Sequence, residues 1–435
     1  MKPRMYKHLI WMLVWLIGSL TTFAQSNTEK ESLAKLFNAI QETPSYKNQI
    51  KGDPAYISIY QKLMASTPAL THFEEILKYY NLIAPINDNH LGLYKLADSN
   101  TKPIPLFWNP QGVKKQVVLT DTLKLKQLLG RADKSPIEGF YKSGKELMGI
   151  VKEQSLVEPN ALSSLKLFAL VHVPTLRVYG YFNETPSGSY DFIHLNPQNS
   201  GISVVRNRKF IDASFPQLEL YQGNIPNYRK LTYELPNFEF KWLGSMGNSK
   251  NPDIGYLRLS SFLSSTKNIQ EAKDFLFKNT ETIKKSKYLI VDIRNNGGGG
   301  FKTSQHFINL LKAFKGQVLV LQNIYTVSNA EKFILKLKNQ KNIQFLGEPT
   351  AGTIAYGSNT GKKVYLANNS IYFYPTDMKA NPKELPFESK GIPPDIQLDY
   401  NDLDWIGQVT VGISFHRRGV PIPADFKFVP VLKNH

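Results

Sequence analysis

Hydrophobic and polar residues follow three different patterns along this 435-residue chain. Between residues 28 and 86, apolar residues recur at helical spacing, with turn signals at Gly52-Asp53-Pro54 and Thr67-Pro68. From about residue 100 to 240, short alternating runs separated by Asn-Pro, Pro-Ser-Gly and Asn-Ser-Gly turns predict strands. From about residue 241 onward, apolar strands alternate with helical patterns at 271–285, 303–314 and 329–340. These patterns predict a helical cap at 25–100, a β-rich module at 101–240 and an α/β core at 241–435.

The apolar run at 288–300, Y-L-I-V-D-I-R-N-N-G-G-G-G, ends in four consecutive glycines. Its β-branched residues predict a buried strand, and a turn without side chains lets a ligand contact bare backbone. A phosphate is one possible ligand, but the G-x-G-x-x-G and G-x-x-x-x-G-K-[ST] spacings are absent and the bulky Phe301 follows. An oxyanion is the other, and it requires a nucleophile. Asp292 and Arg294 are expected to hold this turn structurally.

A second apolar run, at 316–324, is followed by T-V-S-N-A-E at 326–331 and then by a helical pattern. Ser328 is therefore predicted where a strand turns into a helix. There the unpaired N–H groups of the first helical turn, Asn329 among them, face any negative charge that develops at the serine. The same pattern fits an ordinary N-cap, with Glu331 completing an S-x-x-E capping box. The two roles are compatible.

A serine nucleophile requires a base. Among the eight histidines, His90 stands in a polar segment, I-N-D-N-H-L-G-L-Y, that closes a helical run. The alternative is a turn histidine with Asp88 and Asn89 as local turn formers. His90 is nevertheless the strongest candidate for the base.

The first 24 residues predict a secretory signal peptide. Lys2, Arg4 and Lys7 precede an apolar stretch too short for a membrane span, and T-F-A offers a small-residue cleavage site after Ala24. We therefore expect an exported chain, periplasmic or extracellular, without stable membrane insertion. Because the chain has no cysteine, it contains no disulfide, thiolate metal site or cysteine nucleophile.

The formal net charge is +18. The lysines are dispersed, and no zinc-finger or RNA-recognition signature accompanies them, so we expect no nucleic-acid partner. Attraction to acidic peptides or anionic surface polymers is the milder inference. No cofactor and no metal site is predicted.

Five sequence blocks together resemble the catalytic core of the tail-specific, or C-terminal-processing, serine peptidases. The blocks are I-G-Y-L-R-L-S-S-F at 254–262, V-D-I-R-N-N-G-G-G at 291–299, T-V-S-N-A-E at 326–331, G-E-P-T-A-G at 347–352 and E-S-K-G-I-P-P-D-I at 388–396. The resemblance implies a ClpP/crotonase-like α/β core and a polypeptide substrate. These peptidases often carry a PDZ domain, but residues 101–240 lack a G-[IL]-G loop, so we expect a different β module, a small barrel or sandwich.

The resemblance points to the tricorn-like branch of this family. In the processing peptidases a lysine follows the T-x-G of the fourth block and acts as the base, whereas this chain has Thr353 there. The tricorn-like arrangement uses a histidine from the N-terminal part and a glutamate before the G-[IV]-x-P-D block, positions that His90 and Glu388 match. In tricorn a serine adjoins the histidine, and here the neighbour is Asn89.

The resemblance thus implies a secreted serine endopeptidase. Ser328 would attack the scissile carbonyl, His90 would take its proton, and Glu388 would orient the imidazole or an intervening group. The amides of Gly298 and Asn329 would bind the oxyanion. Two alternatives remain open: a non-catalytic ligand- or peptide-binding protein on the same fold, like the family's retinoid-binding relative, and a cell-envelope scaffold whose β module does the binding.

Overall fold

The computed structural model describes residues 27–69, 71–97, 122–152, 165–196, 201–223, 237–243, 253–366, 369–399 and 404–418. The predicted signal peptide and its cleavage site after Ala24 lie outside these residues. The chain divides into two compact units: the first unit is Met1–Gln222 with Ser358–Lys379, and the second is Gly223–Gly357 with Ala380–His435. The module boundaries expected at residues 100 and 240 stay a prediction.

The described residues contain helices and strands numbered here in chain order. The helices are α1 (27–42), α2 (Pro44–Gln49), α3 (Pro54–Ala65), α4 (His72–Ile83), α5 (Thr122–Leu129), α6 (Thr266–Ile283), α7 (Phe301–Ala313), α8 (Asn329–Leu337) and α9 (Trp405–Arg418). The strands are β1 (Gly92–Lys95), β2 (Gly139–Ser143), β3 (Glu146–Lys152), β4 (Leu167–His172), β5 (Arg177–Glu184), β6 (Tyr190–Leu195), β7 (Ile202–Arg208), β8 (Ser214–Phe215), β9 (Leu220–Tyr221), β10 (Phe238–Trp242), β11 (Ile254–Leu259), β12 (Tyr288–Asp292), β13 (Gln317–Gln322), β14 (Ile343–Gly347), β15 (Val364–Tyr365), β16 (Ile371–Tyr374) and β17 (Ile396–Gln397).

The helices of the first unit begin at side-chain caps that the sequence supplies. Asp53 Oδ1 accepts a hydrogen bond from the Ala55 amide at 2.8 Å, and Pro54 occupies the first position of α3. Thr71 caps α4 in the same way, with its hydroxyl accepting from the Glu74 amide at 3.1 Å. The turn signal at Gly52-Asp53-Pro54 is therefore the start of a helix.

The first unit contains an 11-stranded antiparallel sheet, called the large sheet here, in the order β15-β16-β1-β7-β6-β5-β4-β3-β2-β9-β8. Its strands carry apolar residues on both faces. One face shares a core with α1, α3, α4 and α5, which contribute Leu36, Leu63, Ile76 and Leu125 among others. The opposite face has its own aromatic cluster around Phe182 and Phe215, whose rings stack 4.6 Å apart. The hairpin β15–β16 reaches this sheet from late in the chain and pairs with β1.

The second unit is built on a six-stranded sheet, called the core sheet here, in the order β10-β11-β12-β13-β14-β17. Strand β10 is antiparallel and the others are parallel. Because β11 to β14 are adjacent in chain order, right-handed crossovers place α6, α7 and α8 on one face, where they share one apolar cluster. The opposite face packs against α9 through Trp405, Val409 and Ile413. Both faces are covered, which explains the continuous apolar runs in the sequence.

The expectation of a protein that mixes helices and strands is confirmed, and the structure shows two large sheets. The strands between residues 139 and 221 belong to one 11-stranded sheet and not to the expected small barrel or sandwich. The helix expected at 271–285 begins earlier, at Thr266, because Ser265 caps it by accepting from the Asn268 amide at 3.2 Å. In the described part of the chain, no helix is long and apolar enough to cross a membrane.

Candidate active site

Three loops follow the carboxyl ends of neighbouring parallel strands in the core sheet. The glycine turn (residues 293–300) follows β12, the Ser328 turn (residues 323–328) follows β13, and the loop at 348–355 follows β14. Adjacent parallel strands end at the same edge of a sheet, and ligands bind there in open α/β folds. The topology therefore brings the second, third and fourth sequence blocks together.

The glycine turn is fixed by backbone hydrogen bonds to its neighbours. The Val327 amide donates to the Asn296 carbonyl at 3.0 Å, and the Phe262 amide donates to the Gly298 carbonyl at 3.0 Å. Gly299, with φ of +128°, passes so close to Phe262 that a Cβ built on it would lie 2.1 Å from the Phe262 carbonyl oxygen. Only glycine satisfies both the conformation and the space at this position.

Ser328 has an unusual backbone conformation. It precedes α8 with φ of +58° and ψ of −119°, values that an L-residue rarely adopts. Such a conformation persists only where the surroundings enforce it, and it occurs most often at functional sites. The Ser328 amide donates to Glu331 Oε2 at 2.9 Å and to the Thr353 carbonyl at 3.0 Å. The predicted strand-to-helix position of Ser328 is present, in a form that an ordinary N-cap does not require.

Gly298 packs directly against the Ser328 turn. A Cβ built on Gly298 would lie 2.9 Å from Ser328 Cβ, 2.9 Å from the Asn329 amide nitrogen and 2.7 Å from the Val327 carbonyl oxygen. Its φ of +87° also favours glycine. The structure thus brings together Gly298, Ser328 and Asn329. The Asn329 N–H is the first of α8, whereas the Gly298 N–H donates to Asn296 Oδ1 at 2.9 Å.

Glu331 is a fully buried carboxylate at the centre of this arrangement. Besides the Ser328 amide, its oxygens accept hydrogen bonds from the Gly352 amide at 2.8 Å, the Thr353 amide at 3.0 Å and the Thr350 hydroxyl at 2.5 Å. Burial raises the pKa of the Glu331 carboxyl, and these four donors oppose that rise. One side chain therefore ties the Ser328 turn to the loop at 350–353.

Glu388 belongs to the same unit and holds the next part of that loop. Its carboxylate is 3% exposed, and Oε2 accepts hydrogen bonds from the Ile354 amide at 2.9 Å and the Ala355 amide at 2.8 Å. The following residue, Ser389, donates its amide to the Gly352 carbonyl at 2.7 Å. Glu388 is thus connected to Ser328 through the loop at 352–355.

Asp292 and Arg294 have the structural role that the sequence predicts. The Arg294 guanidinium binds Asp292 through Nε and Nη2, with Nη2 2.7 Å from Oδ2. Tyr256 and Arg258 also bind the Asp292 carboxylate. Burial raises the pKa of Asp292, but the two guanidinium groups lower it more, so that it lies below its ordinary value. The glycine turn therefore starts from a buried ion-pair network.

His90 belongs to the first unit, in the turn between α4 and β1. Asp88, which is fully buried, accepts a hydrogen bond from the His90 amide at 3.0 Å and from the Thr376 hydroxyl at 2.7 Å. Arg206 Nη1 donates to the Asp88 carbonyl oxygen at 2.9 Å. Burial raises the pKa of the Asp88 carboxyl, opposed by these hydrogen bonds and by Arg206. The polar turn of the sequence is therefore a fixed structure.

Several contacts of the two anchoring carboxylates, Glu331 and Asp88, could not be predicted from the sequence. The S-x-x-E pattern indicated the contact of Glu331 with Ser328, but nothing in it indicated that the same carboxylate also binds Thr350, Gly352 and Thr353. Similarly, Asp88 was expected as a local turn former, whereas its contact with Thr376 spans 288 positions along the chain.

Comparison with protein families matches part of the chain to one of them. Residues 253–312 and 302–398 are similar to the model of peptidase family S41. This segment contains Gly298, Ser328, Asn329 and Glu388, and His90 lies outside it. Comparison with curated proteins finds no match.

Several solved structures are similar to this chain at low identity. The photosystem II D1 C-terminal processing protease is 14% identical over 86% of this chain and 94% of its own, with a TM-score of 0.39. Mature CPAF is 11% identical over 92% and 99%, with a TM-score of 0.44. The tricorn protease is 17% identical over 38% and 18%, with a TM-score of 0.29. Because all three TM-scores lie below 0.5, these structures support no argument about function, and the assignment to a family rests on the family match.

Proposed function

We propose that Ser328 is the catalytic nucleophile of this chain. Residues 253–398 belong to peptidase family S41, so the chain is a serine peptidase that acts on polypeptides. The resemblance to the tail-specific peptidases is confirmed at this level. The observation that carries the assignment of Ser328 is the close packing of the Gly298 backbone against Ser328 Cβ and the Asn329 amide. This arrangement sets a hydroxyl beside backbone donors at the edge of the core sheet.

The proposed base is His90, not a lysine. The family position that holds a lysine in the processing peptidases is Thr353, whose carbonyl accepts from the Ser328 amide at 3.0 Å. A threonine side chain does not act as a base at neutral pH, whereas an imidazole does. Of Lys302 and Lys332, the first two lysines to test as an alternative base, Lys332 is ion-paired with Glu384 at 3.1 Å. That pairing favours an imidazole over Lys332.

The proposed reaction follows the usual course of acyl transfer. Ser328 Oγ bonds to the scissile carbonyl carbon while His90 takes the hydroxyl proton. The carbon–nitrogen bond then breaks, and His90 passes that proton to the leaving amine. Water, activated in the same way, releases the acyl group and restores Ser328.

The remaining proposed roles are supportive. The Asn329 N–H, one of the orphan donors of a helix start, binds the oxyanion together with the Gly298 N–H, which must first exchange its bond to Asn296 Oδ1. Glu388 orients the imidazole or a group between them, in addition to holding the amides of Ile354 and Ala355.

We further propose that the enzyme is exported after cleavage near Ala24, into the periplasm or the medium. The basic start, the short apolar stretch and the small residues before Gln25 support this proposal. We also propose that the core is ClpP/crotonase-like and that residues 25–100 form an N-terminal helical cap. The parallel core sheet with helices on both faces supports the first of these proposals.

Replacement of Ser328 tests the nucleophile. Ser328→Ala should abolish peptide hydrolysis while changing the unfolding free energy by only about 0.5–2 kcal/mol, the cost of a lost N-cap. Ser265→Ala is the matched control, because it removes the N-cap of another helix in the same unit. It should have a similar stability cost and retain full activity. Hydrolysis by a folded Ser328→Ala protein would falsify the assignment.

The dependence of activity on pH tests the base. If an imidazole accepts the proton, kcat/KM should fall as the pH drops below about 6.5, since a charged imidazole cannot act as acceptor. A profile that stays flat to about pH 5 would contradict an imidazole base. Binding of peptides without hydrolysis, in a folded parent protein, would instead favour the non-catalytic alternative.

A further inference from the structure

The large sheet carries a cavity of about 430 Å³ on the face away from the helices. All of its lining residues belong to the first unit, on strands β2 to β7 and on the segment at 218–220. This volume lies in the range of about 300–1,000 Å³ that ligand pockets occupy. Nothing in the proposed catalytic mechanism uses it.

The alternation of strand residues explains why the cavity is apolar. On β6, Ile193 points into the core with the helices, while Phe192 and His194 point to the opposite face. Gly180 on the neighbouring strand lacks a side chain, and a Cβ there would lie 2.6 Å from the Phe192 ring. The Phe192 ring therefore lies directly against Gly180 of β5. With Met148, it forms part of an apolar floor.

Four half-buried polar side chains of the lining, those of Ser143, Tyr179, His194 and Ser203, make no hydrogen bond within the described part of the chain. Among them, His194 and Ser203 are partners across the β6–β7 pair. Burial lowers the pKa of His194, which keeps the imidazole neutral at pH 7. Half-buried donors and acceptors of this kind are available to a ligand. By contrast, His172 is already satisfied by Glu146 at 2.8 Å and Thr175 at 2.7 Å.

The charge of the lining restricts the ligand further. The chain has 53 lysines and arginines, yet none of them lines this cavity. The one carboxylate, Glu146, is bound to His172. An anionic ligand would meet no cation here and one negative charge, so the lining fits an uncharged, apolar ligand with hydrogen-bonding groups.

We propose that this cavity is a second polypeptide-binding site, which takes uncharged apolar side chains while His194 and Ser203 hydrogen-bond to the peptide backbone. The choice of a polypeptide rests on the peptidase assignment, because polypeptides are the molecules such an enzyme meets. A backbone amide supplies both a donor and an acceptor, which a neutral imidazole and a hydroxyl together match. The site would hold a part of the substrate distant from the scissile bond.

Direct binding measurements test the site without catalysis. The full chain carrying Ser328→Ala is titrated by calorimetry with an acetylated, amidated Leu-Phe-Leu peptide. Adding Ser203→Trp fills the cavity and should weaken binding about tenfold or more, the loss expected when one large apolar side chain can no longer be buried. Adding Ser187→Trp to the Ser328→Ala chain, at an exposed turn of the same sheet, should leave the affinity unchanged. Equal affinities in these two double variants would overturn the proposal.

Two further measurements keep the proposal testable if Ser203→Trp does not fold. His194→Ala removes hydrogen-bonding atoms without adding bulk and should weaken binding several-fold; unchanged binding contradicts the assigned role. Nile red, a neutral apolar dye, should be displaced by the peptide, and dye binding that the peptide cannot displace would indicate a small-molecule cavity and overturn the proposal. In chains that retain Ser328, Ser187→Trp should leave hydrolysis of a short capped peptide substrate unchanged, whereas the calorimetric titrations of Ser328→Ala chains report on the cavity alone. This separates failure of the cavity from failure of the catalytic assignment.

Discussion

Ser328 and His90 are each held by a buried carboxylate, but by different kinds of contact. Glu331 binds four donors that all lie between residues 328 and 353, three of them backbone amides. Asp88 binds the His90 amide locally, its carboxylate also accepts hydrogen bonds from the Thr376 and Ser45 hydroxyls, and its carbonyl accepts one from Arg206. The serine side is thus fixed by backbone geometry near in sequence, and the histidine side by side chains far along the chain.

This difference has an electrostatic counterpart. Burial raises the pKa of both carboxyl groups, but an arginine lowers the pKa only of Asp88, while Glu331 is stabilised by uncharged donors alone. A carboxylate surrounded by fixed amide donors tolerates no rearrangement, because each amide needs its acceptor. We therefore expect the Ser328 neighbourhood to respond to small changes more strongly than the His90 turn does.

The largest loss of activity is expected from a substitution on the histidine side. His90→Ala should lower kcat/KM about 10⁴-fold or more, because removal of the base from a nucleophile–base pair costs that much in serine proteases. His72→Ala, which removes an exposed histidine of the same unit, is the control and should be fully active. A His90→Ala enzyme with parental kcat/KM would show that the base lies elsewhere. Lys302 and Lys332 would then be the next candidates.

The next effect concerns the backbone on the serine side. Gly298→Ala should lower kcat about 10²–10³-fold, the usual cost of a lost oxyanion donor. The added Cβ would meet the Val327 carbonyl at 2.7 Å and force a positive φ on alanine, which costs about 1–3 kcal/mol of stability. Gly297→Ala is a neighbouring control, since a Cβ there meets nothing within 4 Å. Similar kcat losses in both variants would argue against a specific role for Gly298.

A smaller effect compares the two carboxylates directly. In Glu331→Gln, an amide NH₂ faces backbone donors that need an acceptor. Each donor left without an acceptor should lower the free energy of unfolding by about 1–3 kcal/mol. Asp88→Asn should cost only about 0.5–1.5 kcal/mol, because the Thr376 hydroxyl can rotate and accept from the new amide. Chemical denaturation of the two variants measures both costs. If Asp88→Asn proves the more destabilising, the Ser328 neighbourhood is not the more sensitive of the two.

The smallest effect is the dependence of stability on pH. The folded pKa of Glu331 is raised, so its contribution to the unfolding free energy grows as the pH falls from that pKa toward about 4.3. Asp292 is the opposite case. Its folded pKa is lowered, so its contribution is complete above about 3.9 and is lost as the pH falls through the folded value.

The parent's stability advantage over Glu331→Gln should therefore increase on acidification. Its advantage over Asp292→Asn should decrease below about pH 4. Unfolding free energies of the three proteins, measured across this range, check both signs. The same sign for both variants would contradict one of the two assignments.

More of the structure around Ser328 than of the structure around His90 could be predicted from the sequence, and the reason is physical. The glycine turn, Ser328 and Glu331 act through backbone contacts within short motifs. Asn329 could therefore be placed beside Ser328 from the predicted helix start, and Gly298 from the family resemblance. The helix of Ser328 begins at residue 329 as predicted. The contacts of Asp88 with Thr376 and Arg206 depend on pairing in the large sheet, which no local pattern specifies. The same holds for the hairpin at 364–374, which pairs with β1 in the large sheet of the first unit.

Labelling with a fluorophosphonate tests the central claim most directly, because this reagent reacts only with an activated serine. We predict a single adduct on Ser328 in the parent protein. Its rate of formation should rise with pH through about 6.5, the ordinary range of an imidazole, and should fall sharply in His90→Ala. An adduct on another serine, or labelling of Ser328 at an equal rate in His90→Ala, would contradict the proposed Ser328–His90 mechanism.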